Sequence, residues 1–258
     1  MIVAFRLTRV GLHLGYGLAT AALVYPLVGR PAQLKLKQRW SRQLVGMLGV
    51  RLQADAAPLP APALLVANHV SWLDIFVINA LTPAAFVCKA DVREWPLIGW
   101  LCERTETVFM PRGSRSAARQ TSEIVAARLR QGWTVALFPE GTTSDGSGLL
   151  PFHAALLQGA IDADCPVQPL ALRYLDGHGE PTAAPAYCGE TTLLQSLRLI
   201  AAQPRLEARL DILAPLDGRG AARRALAAHA ETKIRQALGR PHPCVGETAA
   251  PEVSLAAA

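Results

Sequence analysis

From residue 62 onward, short apolar runs alternate with helix-length segments, and that alternation predicts an α/β protein with a central mixed sheet flanked by helices. Two further observations shape the prediction. The chain has 258 residues, of which 51% are hydrophobic, enough for one sizeable core and too apolar for a disordered body. An uncharged run over residues 10–28 adds an N-terminal membrane-associated helical segment ahead of the sheet. The divisions are 1–54 for an anchor and a basic amphipathic helix, 55–244 for the folded body, and 245–258 for a flexible tail without periodicity.

The run 10–28 is flanked by Arg6 and Arg9 on one side and by Arg30, Lys35 and Lys37 on the other. At about 1.5 Å per residue it just spans a hydrocarbon core of roughly 30 Å. Gly11, Gly15, Gly17, His13 and Pro26 weaken it, which leaves a tilted, re-entrant or merely interfacial helix as the alternative. A secretory signal competes, because Ala19-Thr20-Ala21 resembles a cleavage site, but that triplet falls too early to end the run. The basic excess after the run places the body in the cytoplasm. Gly11 and Gly15 form a G-x-x-x-G, too ordinary in a glycine-rich helix to decide an oligomeric state. In residues 32–50 cations alternate with Leu34, Leu36, Trp40, Leu44, Val45 and Leu48. A helix lying on a membrane with Trp40 near the headgroups and a helix packed on the body fit this pattern equally.

In the body, strands are expected at 63–67, 84–89, 106–110, 133–138, 166–173 and 206–213. Helices are expected at 72–81, 95–102, 114–131, 149–161, 191–202 and 219–237. Gly132, Pro139-Glu140-Gly141, Gly146 and Gly148 punctuate them.

Charge narrows the partners. The net charge is +6, yet no acid precedes Asp55 and residues 1–54 carry eight cations. The rest holds 18 basic and 20 acidic residues. A basic end beside an apolar run suits anionic lipid, whereas a nucleic-acid enzyme carries its cations around the fold; membrane lipids, and not nucleic acid, are the expected partner. Mean hydropathy is +0.22, high for a freely soluble protein. Arg outnumbers Lys 22 to 4 in an alanine-rich chain, the composition of a GC-rich bacterial genome. Five scattered cysteines form no C-x-x-C pair, so neither a disulfide framework nor a metal site is expected, and a reducing compartment is favoured.

Three stretches carry chemistry. In Asn68-His69-Val70-Ser71-Trp72-Leu73-Asp74, a carboxylate could hold one ring nitrogen of a histidine base. On one straight helix, residues five apart diverge by about 140°. His69 and Asp74 meet only if His69 lies in the turn before a helix and Asp74 in its first turn. Ser71 as N-cap would supply this, and Ser71-x-x-Asp74 is equally a plain capping box. In Phe138-Pro139-Glu140-Gly141-Thr142-Thr143-Ser144, Glu140 could take a donor from a substrate, while Gly141 and the Thr142, Thr143 and Ser144 hydroxyls could face an anion; an ordinary exposed turn reads the same way. Arg112, after Val108-Phe109-Met110-Pro111, could reach the same sheet edge and bind phosphate bidentately, or simply sit on the surface.

Together these stretches resemble the lysophospholipid acyltransferases, the 1-acylglycerol-3-phosphate acyltransferase family. Its NH-x4-D block is matched by Asn68, His69 and Asp74. Its aromatic-x-x-Arg block is matched by Phe109 to Arg112, its FPEGT-x-S block by Phe138 to Ser144, and its proline-rich strand by Cys165-Pro166-Val167-Gln168-Pro169. The resemblance covers about residues 40–215 and implies acyl transfer without an acyl-enzyme. His69, oriented by Asp74, would deprotonate an acceptor hydroxyl that attacks the thioester of acyl-CoA or acyl carrier protein, a co-substrate and not a cofactor. Asn68, Arg112, Glu140, Gly141 and Thr142 would bind substrate. The implied acceptor is 1-acylglycerol-3-phosphate, giving phosphatidic acid, and the implied location is the bacterial inner membrane with the catalytic domain facing the cytoplasm. Two departures weaken a phosphate site: Thr143 stands where the family commonly has Arg, and Pro111 where it commonly has Asp. Lyso-ornithine lipid is therefore the alternative acceptor. A membrane-tethered lipid-binding protein would not call for a base, and a serine hydrolase would need the absent G-x-S-x-G.

Overall fold

The computed structural model describes residues 1–55, 59–110, 115–239 and 253–254. Its sheet has eight strands in the order β4-β3-β5-β2-β6-β7-β1-β8. These are β1 (Val50–Ala54), β2 (Leu64–Ala67), β3 (Ala85–Lys89), β4 (Val108–Met110), β5 (Val135–Leu137), β6 (Val167–Leu175), β7 (Leu206–Ile212) and β8 (Val253–Ser254). Strands β2 to β6 run parallel to one another; β7 turns antiparallel to β6, and β1 runs parallel to β7. The sheet is mixed, as expected. At its C-terminal end β1 pairs antiparallel with β8, Ala54 with Val253 and Gln53 with Ser254; the rest of 240–258 lies outside the described residues.

All four residues of β2 are buried, which is why LLVA shows no alternation: helices cover both of its faces. On one face Leu65, Ile78, Leu48, Leu172 and Leu210 form a core with the helices α1 (Ile2–Ala19), α2 (Arg30–Met47), α3 (Asp74–Leu81) and α7 (Leu193–Ala202). On the other, Leu64, Leu129, Leu157 and Ile234 pack with α5 (Arg115–Arg130), α6 (Gln158–Asp162) and α8 (Arg223–Leu238). The remaining helix, α4 (Ile98–Arg104), joins β3 to β4.

The N-terminal helix begins earlier than the apolar run implies. It starts at Ile2 and continues through a π turn (Thr20–Val24) and a 3-10 turn (Tyr25–Leu27). Arg6 lies inside it because its guanidinium donates to the carbonyls of Ala201 and Gln203 at the end of α7. Residues Ile2–Leu27 are long and apolar enough to cross a membrane, and Ile2, Phe5, Leu12, Leu23 and Leu27 are exposed along them.

Of the two readings of 32–50, the structure takes packing on the body. Trp40 does not face headgroups: its ring stacks on His13 with centroids 4.7 Å apart, and its Nε1 donates to the His13 carbonyl. Gly17 permits this contact, since a Cβ there would sit 2.5 Å from Trp40 Nε1. Lys37 is buried, donating to the carbonyls of Ala84 and Thr105, and Arg42 donates to Ala80. Burial pushes the Lys37 ammonium down to about 8, against the attraction of Glu106. Because the folded state releases this proton first, Lys37 should make the protein gain stability as pH rises from about 8 toward the ordinary 10.5. Thermal unfolding of wild type and Lys37→Met across that interval checks it: the wild-type gain should be absent from the variant.

The expected strands and helices 63–67 through 219–237 are present with shifted ends, and two differences carry information. The strand β1 escaped notice because five residues with Arg51 and Gln53 offer little pattern. The expected helix 149–161 starts late: residues 149–153 are loop, followed by a 3-10 turn (Ala154–Leu157) and the short α6. The cause is backbone pairing: the Leu150 and Phe152 amides donate to Glu140 and Glu231, and the His153 amide to the Pro139 carbonyl. These contacts pin residues 149–153 to the turn after β5 and to α8, and the helical turns begin only at Ala154.

Candidate active site

Because β2, β3, β4, β5 and β6 are parallel, their C-terminal ends share one edge. The chain leaves β2 toward β3 on one side and β5 toward β6 on the other. The turns after β2 and β5 therefore meet at a reversal of strand order, the usual crevice of such sheets.

Asn68 follows β2 directly. Its side chain takes the Leu172 amide (2.8 Å) and gives to the Leu172 carbonyl (2.8 Å), standing in for the next backbone pair of the β2–β6 ladder. Both ends of the amide are thus engaged with the neighbouring strand, and Asn68 fixes the register of β2 against β6. His69 then occupies the turn, and Asp74 opens α3, with Oδ2 2.8 Å from His69 Nδ1. This is the arrangement that the five-residue spacing requires. The capping box is only half formed. Asp74 Oδ2 accepts the Val70 and Ser71 amides (2.7 and 2.9 Å), but Ser71 Oγ accepts from Leu73 N, and the cap position falls on Leu73. Asp74 thus builds the turn and holds the histidine at once, and the two readings are one geometry.

Asp74 is fully buried, and its Oδ1 accepts the Tyr174 hydroxyl at 2.7 Å. Since Nδ1 faces the carboxylate, the neutral imidazole carries its proton there and Nε2 is left as the basic nitrogen. The ring lies flat on Phe138, centroids 3.8 Å apart and planes 4° apart, with the side chain 18% exposed.

Glu140 faces inward. It is buried, and its two oxygens accept the His69 amide (2.6 Å) and the Leu150 amide (2.9 Å). It clasps the His69 turn to the turn after β5. Burial pushes the Glu140 pKa upward, making it a weaker acid than an ordinary carboxylate, and both amide bonds oppose this. Gly141 sits at φ +71°, and a Cβ there would lie 3.2 Å from the His153 ring. Its amide donates to the Phe138 carbonyl and is not offered to an anion. Of the three hydroxyls, Thr143 donates to the Tyr187 carbonyl and Ser144 to the His69 carbonyl (3.2 Å), while Thr142 is exposed. Arg112 lies outside the described residues.

Tyr174 and Tyr187 were not singled out by sequence. Tyr174 reads as one more inward position on an apolar strand, and Tyr187 contributes only backbone: its amide donates to the Val70 carbonyl (2.9 Å) while its carbonyl receives Thr143. Burial pushes the Cys88 thiol up to about 12, and the Cys102 and Cys165 thiols upward, so none of these three is poised as a thiolate.

A histidine held by a buried carboxylate at a strand edge can take a proton from a hydroxyl and send that oxygen onto a carbonyl, which is the chemistry an acyl-transfer enzyme needs. Known proteins place it more closely. A family model described as Acyltransferase matches residues 50–173. A lyso-ornithine lipid O-acyltransferase of Pseudomonas aeruginosa is 37% identical over 208 residues, covering 81% of this chain and 80% of that protein. A 1-acyl-sn-glycerol-3-phosphate acyltransferase of Neisseria meningitidis is 40% identical over 170 residues, 66% of each. The crystal structure of the 1-acyl-sn-glycerophosphate acyltransferase of Thermotoga maritima superposes with a TM-score of 0.72 over 94% of this chain and 97% of that one, at 21% identity, a shared fold. The chain belongs to the lysophospholipid acyltransferase family and is an acyltransferase.

Proposed function

We propose that the protein moves a fatty acyl group from acyl-CoA or acyl carrier protein to the free hydroxyl of a lysolipid, with 1-acylglycerol-3-phosphate as the leading acceptor and phosphatidic acid as product. The observation that carries this reading is the 2.8 Å contact between His69 Nδ1 and Asp74 Oδ2. It leaves Nε2 to take the hydroxyl proton as the new ester bond forms; the donor's thiolate leaves and is protonated. The exposed outer face of Ile2–Leu27 would hold the enzyme at the bacterial inner membrane, where acceptor and acyl chain dissolve. The four described cysteines are unpaired, which favours the reducing, cytoplasmic side. Purified full-length protein, one labelled acyl-CoA and a panel of lysolipids analysed by mass test acceptor and reaction together; failure to acylate any lysolipid from either donor would sink the proposal.

Lyso-ornithine lipid is the second reading, favoured by the Pseudomonas relative and by Thr143, whose hydroxyl is turned to the Tyr187 carbonyl and offers a phosphate no charge. Thr143→Arg is expected to raise kcat/KM for 1-acylglycerol-3-phosphate relative to lyso-ornithine lipid, because a charge-assisted hydrogen bond is worth about 1.5–3 kcal/mol. An unchanged ratio would show that position 143 does not read the headgroup.

A further inference from the structure

Acyl transfer by the family's His–Asp pair accounts for His69 and Asp74, but not for the side chain on the far oxygen of Asp74. We infer that Tyr174 is a third, positioning member of this group, acting through Asp74 to set both the aim and the basicity of His69. The inference rests on the acyltransferase reading of the site.

The carboxylate of Asp74 has no exposure to solvent, so the protein must supply every donor it receives. Three of them, the Val70 amide, the Ser71 amide and His69 Nδ1, converge on Oδ2. A carboxylate held at one oxygen alone can still turn about its Cβ–Cγ bond. The Tyr174 hydroxyl, 2.7 Å from Oδ1, supplies the second fixed point and so sets the plane in which Oδ2 meets the imidazole.

The fold prepares this contact. Tyr174 lies near the C-terminal end of β6, at the site edge, and is buried. The Asn68–Leu172 pair fixes β6 against β2 two residues before Tyr174, so the same device that starts the His69 turn also brings the phenol to Asp74. Burial, with Asp74 beside it, pushes the Tyr174 hydroxyl well above its ordinary range; it remains a neutral donor throughout the working pH.

The electrical consequence has a definite sign. The titratable groups facing Asp74 are His69 on the preceding turn, Tyr174 on β6 and Glu140 after β5, whose charge acts on both His69 and Asp74. A donated hydrogen bond withdraws negative charge from the carboxylate. Removing it leaves Asp74 more negative toward the imidazole, favours the protonated ring, and lowers the fraction of free base at a given pH.

Tyr174→Phe removes the donor and little volume. The folded variant should lose kcat by roughly tenfold, well below the 10²–10⁴-fold that general-base removal costs, with acceptor KM unchanged. The acidic limb of its pH–kcat/KM profile should move to higher pH. A structural role alone would lower the unfolding temperature and leave that limb in place. Should the phenylalanine variant fail to fold, 3-fluorotyrosine incorporated at position 174 keeps the shape and strengthens the donor, and the limb should then move to lower pH. An unmoved limb in the folded phenylalanine variant, or in the fluorotyrosine protein, overturns the inference. Wild-type turnover by a folded His69→Ala protein would instead overturn the base assignment on which it rests, so the two failures are distinguishable.

Discussion

His69→Ala is expected to lower kcat by about 10²–10⁴-fold, the usual contribution of a positioned general base, while the protein stays folded. The loss should be chemical because the side chain carries little of the architecture. The His69 contacts that hold the two turns together come from its backbone: the amide to Glu140 Oε1, and the carbonyl accepting from Ser144. An alanine keeps these. What disappears is the ring on Phe138 and the Nδ1 bond to Asp74, and Oδ2 retains two amides. Turnover of labelled acyl donor, measured on a variant with wild-type circular dichroism and unfolding temperature, decides the matter. Near wild-type turnover would falsify the assignment of His69 as the base.

The parts of this site differ in how far they could be read from the chain, for physical reasons. The His69–Asp74 pairing was legible because geometry constrains it: five residues on one helix cannot meet, so only a turn before a helix start could serve. The central sheet was legible because a strand buried on both faces, such as β2, is a continuous apolar run. Residue type was a poor guide to the partners that these polar side chains take within the fold. Asn68, Glu140 and Thr143 are ordinary ligand types, yet each meets backbone groups of a distant segment, and those partners lie 44 to 104 positions away except for Leu150. Long-range pairing of this kind leaves no local pattern. The same holds for Lys37, whose place in a basic, amphipathic stretch suggested a lipid surface and whose buried ammonium instead caps the carbonyls of Ala84 and Thr105. Tyr174 stands 100 positions from Asp74 and is marked only by being an aromatic in an apolar strand.

Asp74→Asn should separate the two duties of this residue, which sequence alone left entangled. Asp74 accepts four hydrogen bonds in a site with no solvent exposure. In the amide, the carbonyl oxygen can replace Oδ2 and keep the Val70 and Ser71 amides, so the turn survives. The NH2 group faces Tyr174, whose hydroxyl can rotate and accept. The structural cost should be about 1–2 kcal/mol, within reach of ordinary thermal unfolding. The catalytic cost should be far larger: a neutral partner no longer stabilises the imidazolium that forms as the acceptor hydroxyl gives up its proton, and kcat should fall on the order of 10²–10⁴-fold. Asp74→Ala makes the complementary case. It strands the two backbone amides, His69 Nδ1 and the Tyr174 hydroxyl in a dry site, and should cost on the order of 3–5 kcal/mol of stability. The measurement is unfolding free energy and kcat for both variants side by side. If Asp74→Asn keeps wild-type kcat while Asp74→Ala unfolds, the carboxylate serves only to cap the turn, and its charge takes no part in the transfer.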